Sequence, residues 1–177
     1  ELTRLHETVA DAYDERDGGD EVVGFHLERA ALLRPEHDRH GRRLAEEAGA
    51  RLGSAGIAAG KRGDAGTETR LLERATALLP TEHSVRAELL CELGVGLDAL
   101  GRSTDADDAL TAAEASTERR IRLRARLELA ARAALAGNAA PDDVLAIAGE
   151  AIPVFGALDD ERSLGRAWML SGWIRGG

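Results

Sequence analysis

The sequence predicts an all-α protein of stacked helical hairpins, and three observations carry that reading. Apolar residues recur at helical spacing along almost the whole chain, and turn and capping residues divide it into helix-sized segments. One order of residues also recurs: a bulky residue, a small one, a turn, then a second packing helix. Arg51 to Pro80 shows this unit most plainly. Leu52, Gly56 and Ala59 share a helical face, the Gly63-Asp64 region breaks the chain, and Leu72 and Ala75 follow on a second helix closed by Pro80.

Taken in order, residues 2 to 16 place Leu2, Leu5, Val9, Ala12 and Tyr13 on one helical stripe. Gly18-Gly19 stops that helix, and Asp20 is the expected N-cap of the next, whose inward face is Val23, Leu27, Ala30 and Ala31 and whose end precedes Pro35. From about Arg39 a longer helix carries Leu44, Ala48, Leu52, Ala55 and Ala59. Its interior glycines, Gly49, Gly53 and Gly56, each cost about 1 kcal/mol of helix propensity relative to Ala. Close approach of a neighbouring helix is the expected compensation. Asp64 is read as the cap of the helix of Leu71, Leu72, Ala75 and Leu78.

Val85 to Leu100 repeats the design, with Leu89, Leu90, Leu93, Gly94 and Leu97 inward and Gly101 as its stop. Thr104 and Asp107 resemble a capping box for a helix carrying Ala106, Leu110 and Ala113. Residues 118 to 136 briefly alternate like a strand. Ile121, Ala125 and Leu129 recur every four residues, however, and the Ala-rich continuation makes helix the better reading. Gly137-Asn138 makes a turn, Pro141 suits a first helical turn, and Pro153 is expected to end or kink that helix near Ile152. A last helix, 160 to 174, carries Leu164, Ala167, Trp168, Ser171 and Gly172.

Composition narrows the function classes. The 177 residues are 44% hydrophobic but only 3% aromatic, so the core must be built from Ala, Leu and Val between closely spaced backbones. A net charge of -9 argues against direct nucleic-acid binding, which normally calls on a basic excess. The single Cys91 excludes an internal disulfide framework and no CxxC pair exists for zinc. No apolar run approaches the roughly 20 residues of a membrane span and no signal peptide is evident, so a cytoplasmic location is the default. The start at Glu1 and the barely finished last helix suggest a piece of a longer polypeptide.

Aligned second helices expose a period. Leu27, Leu72, Leu110 and Ala148 are each followed three residues later by Ala30, Ala75, Ala113 and Ala151, at steps of 45, 38 and 38 residues. On the first helices Leu52 with Gly56, Leu90 with Gly94, and Trp168 with Gly172 share one spacing, and Pro35 and Pro80 both stand five residues after their Ala. This resembles the tetratricopeptide (TPR) pattern of Trp/Leu-x2-Leu-Gly-x2-Tyr, then Ala-x3-Phe, Ala and Pro. Leu90, Leu93, Gly94, Leu97, Ala106, Leu110 and Ala113 match it best. Glu68 departs from it, standing where the sister repeat has Ala106, and no aromatic fills the Tyr places. The resemblance implies one TPR-like domain over 1–177, a right-handed α-α superhelix of about eight or nine antiparallel helices. Its approximate repeats are 2–36, 39–80, 84–116, 118–157 and a truncated 160–177.

A narrower resemblance rests on EVVGFHLERAALLRPE, RGDAGTETRLLERATALLP, RAELLCELGVGLDALG and DERSLGRAWMLSGWI. These phrases look like the TPR region of large actinobacterial signalling proteins. There an AAA/STAND ATPase module precedes the repeats, and class III adenylate/guanylate cyclase or DNA-binding regulator modules are attached. The resemblance implies a non-catalytic, regulatory repeat region. No GxxxxGK[ST] phosphate loop occurs, and Lys61 lacks the Gly-rich context of one.

Candidate catalytic and metal residues read as structural. His37-Asp38-Arg39-His40 matches no metal-ligand spacing and is expected in a solvated loop after Pro35; His26, beside inward Leu27, reads as a hydrogen-bonded structural histidine. His6-Glu7 and Glu82-His83 have no nearby catalytic partner in sequence, and Cys91 lacks local activation. Asp105, Asp107 and Asp108 suit a helix N-terminus. Arg119, Arg120, Arg122, Arg124 and Arg126 read as a solvated, salt-bridged face. No catalytic, cofactor-binding or metal residue is assigned, and no cofactor is expected.

Repeat position leaves a concave surface as the expected partner site, lined by Gly53, Ile57, Lys61, Glu88, Cys91, Val95, Glu128, Arg132 and Met169. The partner is a protein or peptide, or a neighbouring domain of the same chain, with no membrane and no direct nucleic acid. Trp168, Trp173 and Ile174 are expected to support a homodimer. A free-standing peptide-binding adaptor is the alternative, and an all-α hydrolase or metal enzyme is the reading the residues favour least.

Overall fold

The computed structural model describes residues 1–16, 19–35 and 38–176. Among them are nine helices and no strand: α1 Leu2–Asp14, α2 Asp20–Leu32, α3 Arg39–Lys61, α4 Ala65–Leu78, α5 Ser84–Ala99, α6 Ser103–Glu114, α7 Arg119–Leu135, α8 Pro141–Ala157 and α9 Glu161–Gly176. The all-α class therefore holds. No helix among the described residues is long and apolar enough to cross a membrane. The chain forms two compact units, Glu1–Arg102 and Ser103–Gly177. Inside each, every helix packs on the next one in sequence, and α3 also meets α5 as α7 meets α9. Those contacts are what stacked hairpins require, since the first helix of each hairpin must cover the first helix of the next.

In unit 1, α2, α4 and α5 all pack on α3. Its cap is Asp38, whose carboxylate accepts from the backbone N–H groups of His40 and Gly41. Its glycines are packing surfaces. A Cβ at Gly49 would lie 2.7 Å from Leu79 Cγ, one at Gly53 2.6 Å from Leu89 Cδ1, and one at Gly56 3.0 Å from Leu72. The close approach expected from the sequence is thus met by α4 on one side and α5 on the other. Gly24 of α2 does the converse, with Leu52 of α3 filling the space its side chain would take. Asp64 caps α4 by accepting from Thr67 N–H at 3.0 Å, which holds its carboxyl below the ordinary carboxylate range.

Glu68, the residue the repeat pattern explains least, has a physical account here. Its carboxylate lies against the bare backbone of Gly60 on α3 and within 3.6 Å of where a Cβ would stand on Gly96 of α5. Two glycines on flanking helices make room for a side chain larger than the Ala of the sister repeat.

Two expectations for unit 1 change. The α1 stripe is covered only in part: Val9 and Ala12 are half-buried, Leu2, Leu5 and Tyr13 are exposed, and Ala10 is the residue of α1 that is buried. Periodicity finds an apolar face but not which neighbour covers it. Asp20 is not the cap of α2. Gly19, at φ 86°, holds that position, and Asp20 stands in the first turn, where it accepts from Arg51 at 3.0 Å. Gly18 lies outside the described residues.

Unit 2 is packed differently. Its core is Leu123, Leu127, Ala131, Val144, Ala148, Ala151, Phe155, Ala167 and Leu170. The capping box at Thr104 is not formed, because α6 already begins at Ser103; Asp107 instead accepts from Arg132 Nε at 2.8 Å. On α7 Ile121 and Ala125 are buried as expected, whereas Leu129 is only half-buried and Leu123 and Leu127 replace it. Pro153 does not end α8, which continues to Ala157. The carbonyl that Pro153 leaves without a helical donor belongs to Gly149, which is exposed and open to water. On α9 Trp168 and Gly172 point outward while Ala167, Leu170 and Ser171 are buried, so their spacing does not share the inward register of Leu52 with Gly56.

Candidate functional site

The most chemically distinctive surface is the outward face of α9. Trp168, Met169 and Trp173 are each about half exposed, at 53%, 54% and 50%. Gly165 and Gly172 stand at helical spacing beside them, and a Cβ at either would meet nothing within 4 Å. The result is two indoles and a thioether over a flat backbone strip. The base beneath is fixed: Ala167 and Leu170 pack into the unit 2 core, and Ser171 Oγ donates to the Ala167 carbonyl at 2.9 Å. Arg166 on the flank donates through Nε and a terminal nitrogen to both oxygens of buried Glu128 on α7, at 2.8 and 2.7 Å. That bidentate pair holds the Arg166 guanidinium above its ordinary value, although burial opposes it. At the start of the helix Asp160 accepts from Ser163 N–H at 3.1 Å and from Arg120 at 3.1 Å. Tryptophan and methionine at an exposed face on a rigid base suit capture of an apolar protein surface. Ile174 differs from the two tryptophans: it is half-buried and packs against the core.

The nine residues expected along a concave surface do not share one exposure. Gly53, Cys91 and Glu128 are buried: Gly53 lies under Leu89, and Glu128 is engaged by Arg166. No partner reaches these three unless helices move. Ile57, Glu88, Val95 and Arg132 are half-buried, with Arg132 bound to Asp107 and the Ser103 carbonyl. Lys61 and Met169 are exposed, and Met169 belongs to the α9 face. Repeat position finds helix faces, whereas exposure depends on neighbours that the repeat pattern does not encode.

Histidine and carboxylate chemistry gathers in unit 1, and sequence spacing misses it. His6 and His26 meet Nδ1 to Nδ1 at 2.9 Å. Glu7 accepts from Arg34 at 2.7 Å and from His40 Nε2 at 3.0 Å, and Arg34 also donates to Asp38 at 2.9 Å. Arg34 first and His40 second hold the Glu7 carboxyl below its ordinary value. Asp38 and His40 are therefore part of a half-buried ionic cluster at the head of α3, not a solvated loop; His37 lies outside the described residues. His6 with His26, and Glu7 with Arg34 and His40, stand 20 to 33 residues apart in sequence, so only tertiary packing could reveal them. No group of three or more His, Cys, Asp or Glu among the described residues is placed to hold a metal ion.

The arginine run on α7 is divided by the fold. Arg120 bonds Asp160, Arg122 donates to the Ser116 carbonyl at 2.9 Å, and Arg126 pairs with Glu114 and Glu150. Arg124 departs from the expected solvated face, being buried.

No protein-family model matches the chain, and no curated protein matches it. Among solved structures it is similar to the nearly identical TPR-like repeats of a Podosopora anserina protein assigned as a kinesin light chain, at 18% identity and a TM-score of 0.47 over 98% of this chain and 89% of that one. A single-substitution form of the same repeats aligns at 20% identity and a TM-score of 0.47, covering 97% of this chain and 88% of that one.

Proposed function

We propose that this chain is a non-catalytic protein-interaction region, working as one five-repeat array over residues 1–177, with the outward face of α9 as its partner site. The observation that carries this is the exposed Trp168, Met169 and Trp173 strip on a helix whose inner side is locked into the core. Exposed aromatics cost solvation unless something covers them, and Trp is the residue type that most often dominates partner binding. Alanine at both tryptophans is expected to abolish capture of a protein or peptide partner while leaving helicity unchanged. Unchanged capture would sink the assignment of this face.

The chain's sequence phrases support a finer reading. The region serves a multidomain ATPase-type signalling protein of the cytoplasm, adenylate cyclase-like or a transcriptional regulator, and its partner is a neighbouring domain or a separate protein. Occupation of the α9 face would then bias the attached module by differential affinity for its two states. Comparing ATPase or cyclase activity of the full protein with and without this segment tests that coupling; identical regulation in both defeats it. A second copy of the chain competes for the same face, so homodimerisation through Trp168 and Trp173 is expected at high concentration. A monomeric sedimentation profile under those conditions excludes it.

A further inference from the structure

We propose that α1 is an acid-sensitive latch: the His6–His26 contact holds it on α2, and protonation of that pair releases it and uncovers the apolar cluster beneath Ala10. Little apolar surface secures this helix, with Val9 and Ala12 only half-buried. Ala10 is the residue of α1 that is buried, while Leu2, Leu5 and Tyr13 stay exposed. Polar contacts add to this hold on α1. His6 meets His26 of α2, Glu7 meets Arg34 and His40, and Asp14 meets Arg51 of α3 at 2.7 Å. Beneath lie Val23, Leu27 and Ala30 of α2 and Leu44 and Ala48 of α3, which share one core cluster with Ala10.

Two imidazoles facing Nδ1 to Nδ1 can hold one proton between them. One ring donates Nδ1–H and the other must accept through a bare Nδ1. A first added proton can go to the outer Nε2 of the donor ring without harm to the bond. A second has only the accepting Nδ1 left, and it would set two N–H groups head to head between two cations. The second proton is therefore incompatible with the docked Nδ1–Nδ1 contact.

Among the described residues, no carboxylate pairs with His6 or His26. Tyr13 of α1 stacks on His26 at 6.4 Å and Phe25 meets it edge-on at 5.2 Å. Arg29 of α2 and Arg74 of α4 lie over Phe25, and Glu28 is engaged by Arg74. From α3 and the segment before it, His40, Arg34 and Asp38 gather with Glu7, and Arg51 takes Asp14 and Asp20. Burial first, and the neighbouring His6 second, hold His26 below its ordinary value. A histidine depressed in the docked state favours docking above its ordinary pKa of about 6.5 and loses that contribution as pH falls through the docked value. Glu7, also depressed, keeps its contribution until pH falls below the ordinary carboxylate range near 4.5. The histidine step thus precedes the carboxylate step. All five histidines of the chain precede Ser103, so unit 2 contains none.

Amide hydrogen exchange of the intact chain from about pH 7.5 to about pH 5, corrected for intrinsic rates, reads this directly. Protection of α1 is expected to fall, by up to about tenfold per pH unit, as pH drops below the ordinary histidine pKa of about 6.5, while α8 keeps its protection as the internal control. In His6→Gln/His26→Gln the α1 profile should flatten over that range. Constant α1 protection in the natural chain, or an equal loss in the double variant, overturns the latch. If the variant fails to dock α1 even at neutral pH, imidazole nitrogen shifts of the natural chain decide. Two coupled steps, the second coinciding with loss of α1 protection, support the proposal; independent titrations with α1 still protected refute it.

Discussion

Helix-interior glycines mean opposite things in the two units. In unit 1, Gly24, Gly49, Gly53, Gly56 and Gly60 each stand where a neighbour's side chain occupies the space of the missing Cβ. In unit 2, Gly149, Gly156, Gly165 and Gly172 have nothing within 4 Å of that position. The propensity cost is the same, about 1 kcal/mol each, yet only unit 1 recovers it through close helix contact. Unit 2 obtains its packing from larger side chains such as Phe155, Leu127 and Leu123 and carries its glycines on its surface. One residue type in one kind of segment is thus a packing device in the first unit and a smooth exposed strip in the second.

Substitution at Gly49 should show the largest effect. An added methyl would stand 2.7 Å from Leu79 Cγ and 3.1 Å from the Ala75 carbonyl, and the backbone oxygen cannot swing away. Gly49→Ala is expected to destabilise unit 1 by about 2–3 kcal/mol, seen as a fall in α3 exchange protection. A neutral result would break the contrast. In unit 2 the comparable weight rests on an ion pair. Arg166→Ala leaves Glu128, with only 4% of its side chain exposed, without its bidentate partner, and should cost about 2 kcal/mol. Restoring stability by adding Glu128→Gln would confirm that the stranded charge is the cause.

A smaller loss is expected at the α4 cap. Asp64→Ala removes the acceptor for Thr67 N–H and should lower the stability of unit 1 by less than either change above, measured by thermal unfolding. Because the Asp64 carboxyl is depressed in the folded state, its contribution is present above the ordinary carboxylate range and fades as pH falls below it. The natural chain and the variant should therefore converge in stability in acid. The smallest effect has the opposite sign. Gly172→Ala meets no neighbour and should stabilise α9 by about 0.5 kcal/mol, measured by thermal unfolding. If the same change weakens partner capture, the bare strip between the tryptophans is a contact surface as well as a tolerated cost.

Much of the fold is written in local signals. Asp64 before an apolar helix, Pro141 at a first turn and Gly101 at a stop need only neighbouring residues to act, and each is legible. Gly49, Gly53 and Gly56 go one level further, since an unfavourable residue repeated on one face implies something pressed against it. The misses share a cause. The exposure of Leu2, Leu5 and Tyr13 within the α1 stripe, the outward Trp168 and the buried Arg124 depend on which neighbour covers which side, and periodicity carries no such information.

The sequence by itself determined the helices, their turns and the repeated hairpin unit, because caps, glycines and apolar spacing act over a few residues. The tertiary structure alone decided that Glu68 fits between Gly60 and Gly96, that His6 meets His26, and that the tryptophans of α9 face outward. Those outcomes join residues 8 to 28 positions apart, or set a helix's rotation, and only packing against other helices fixes either.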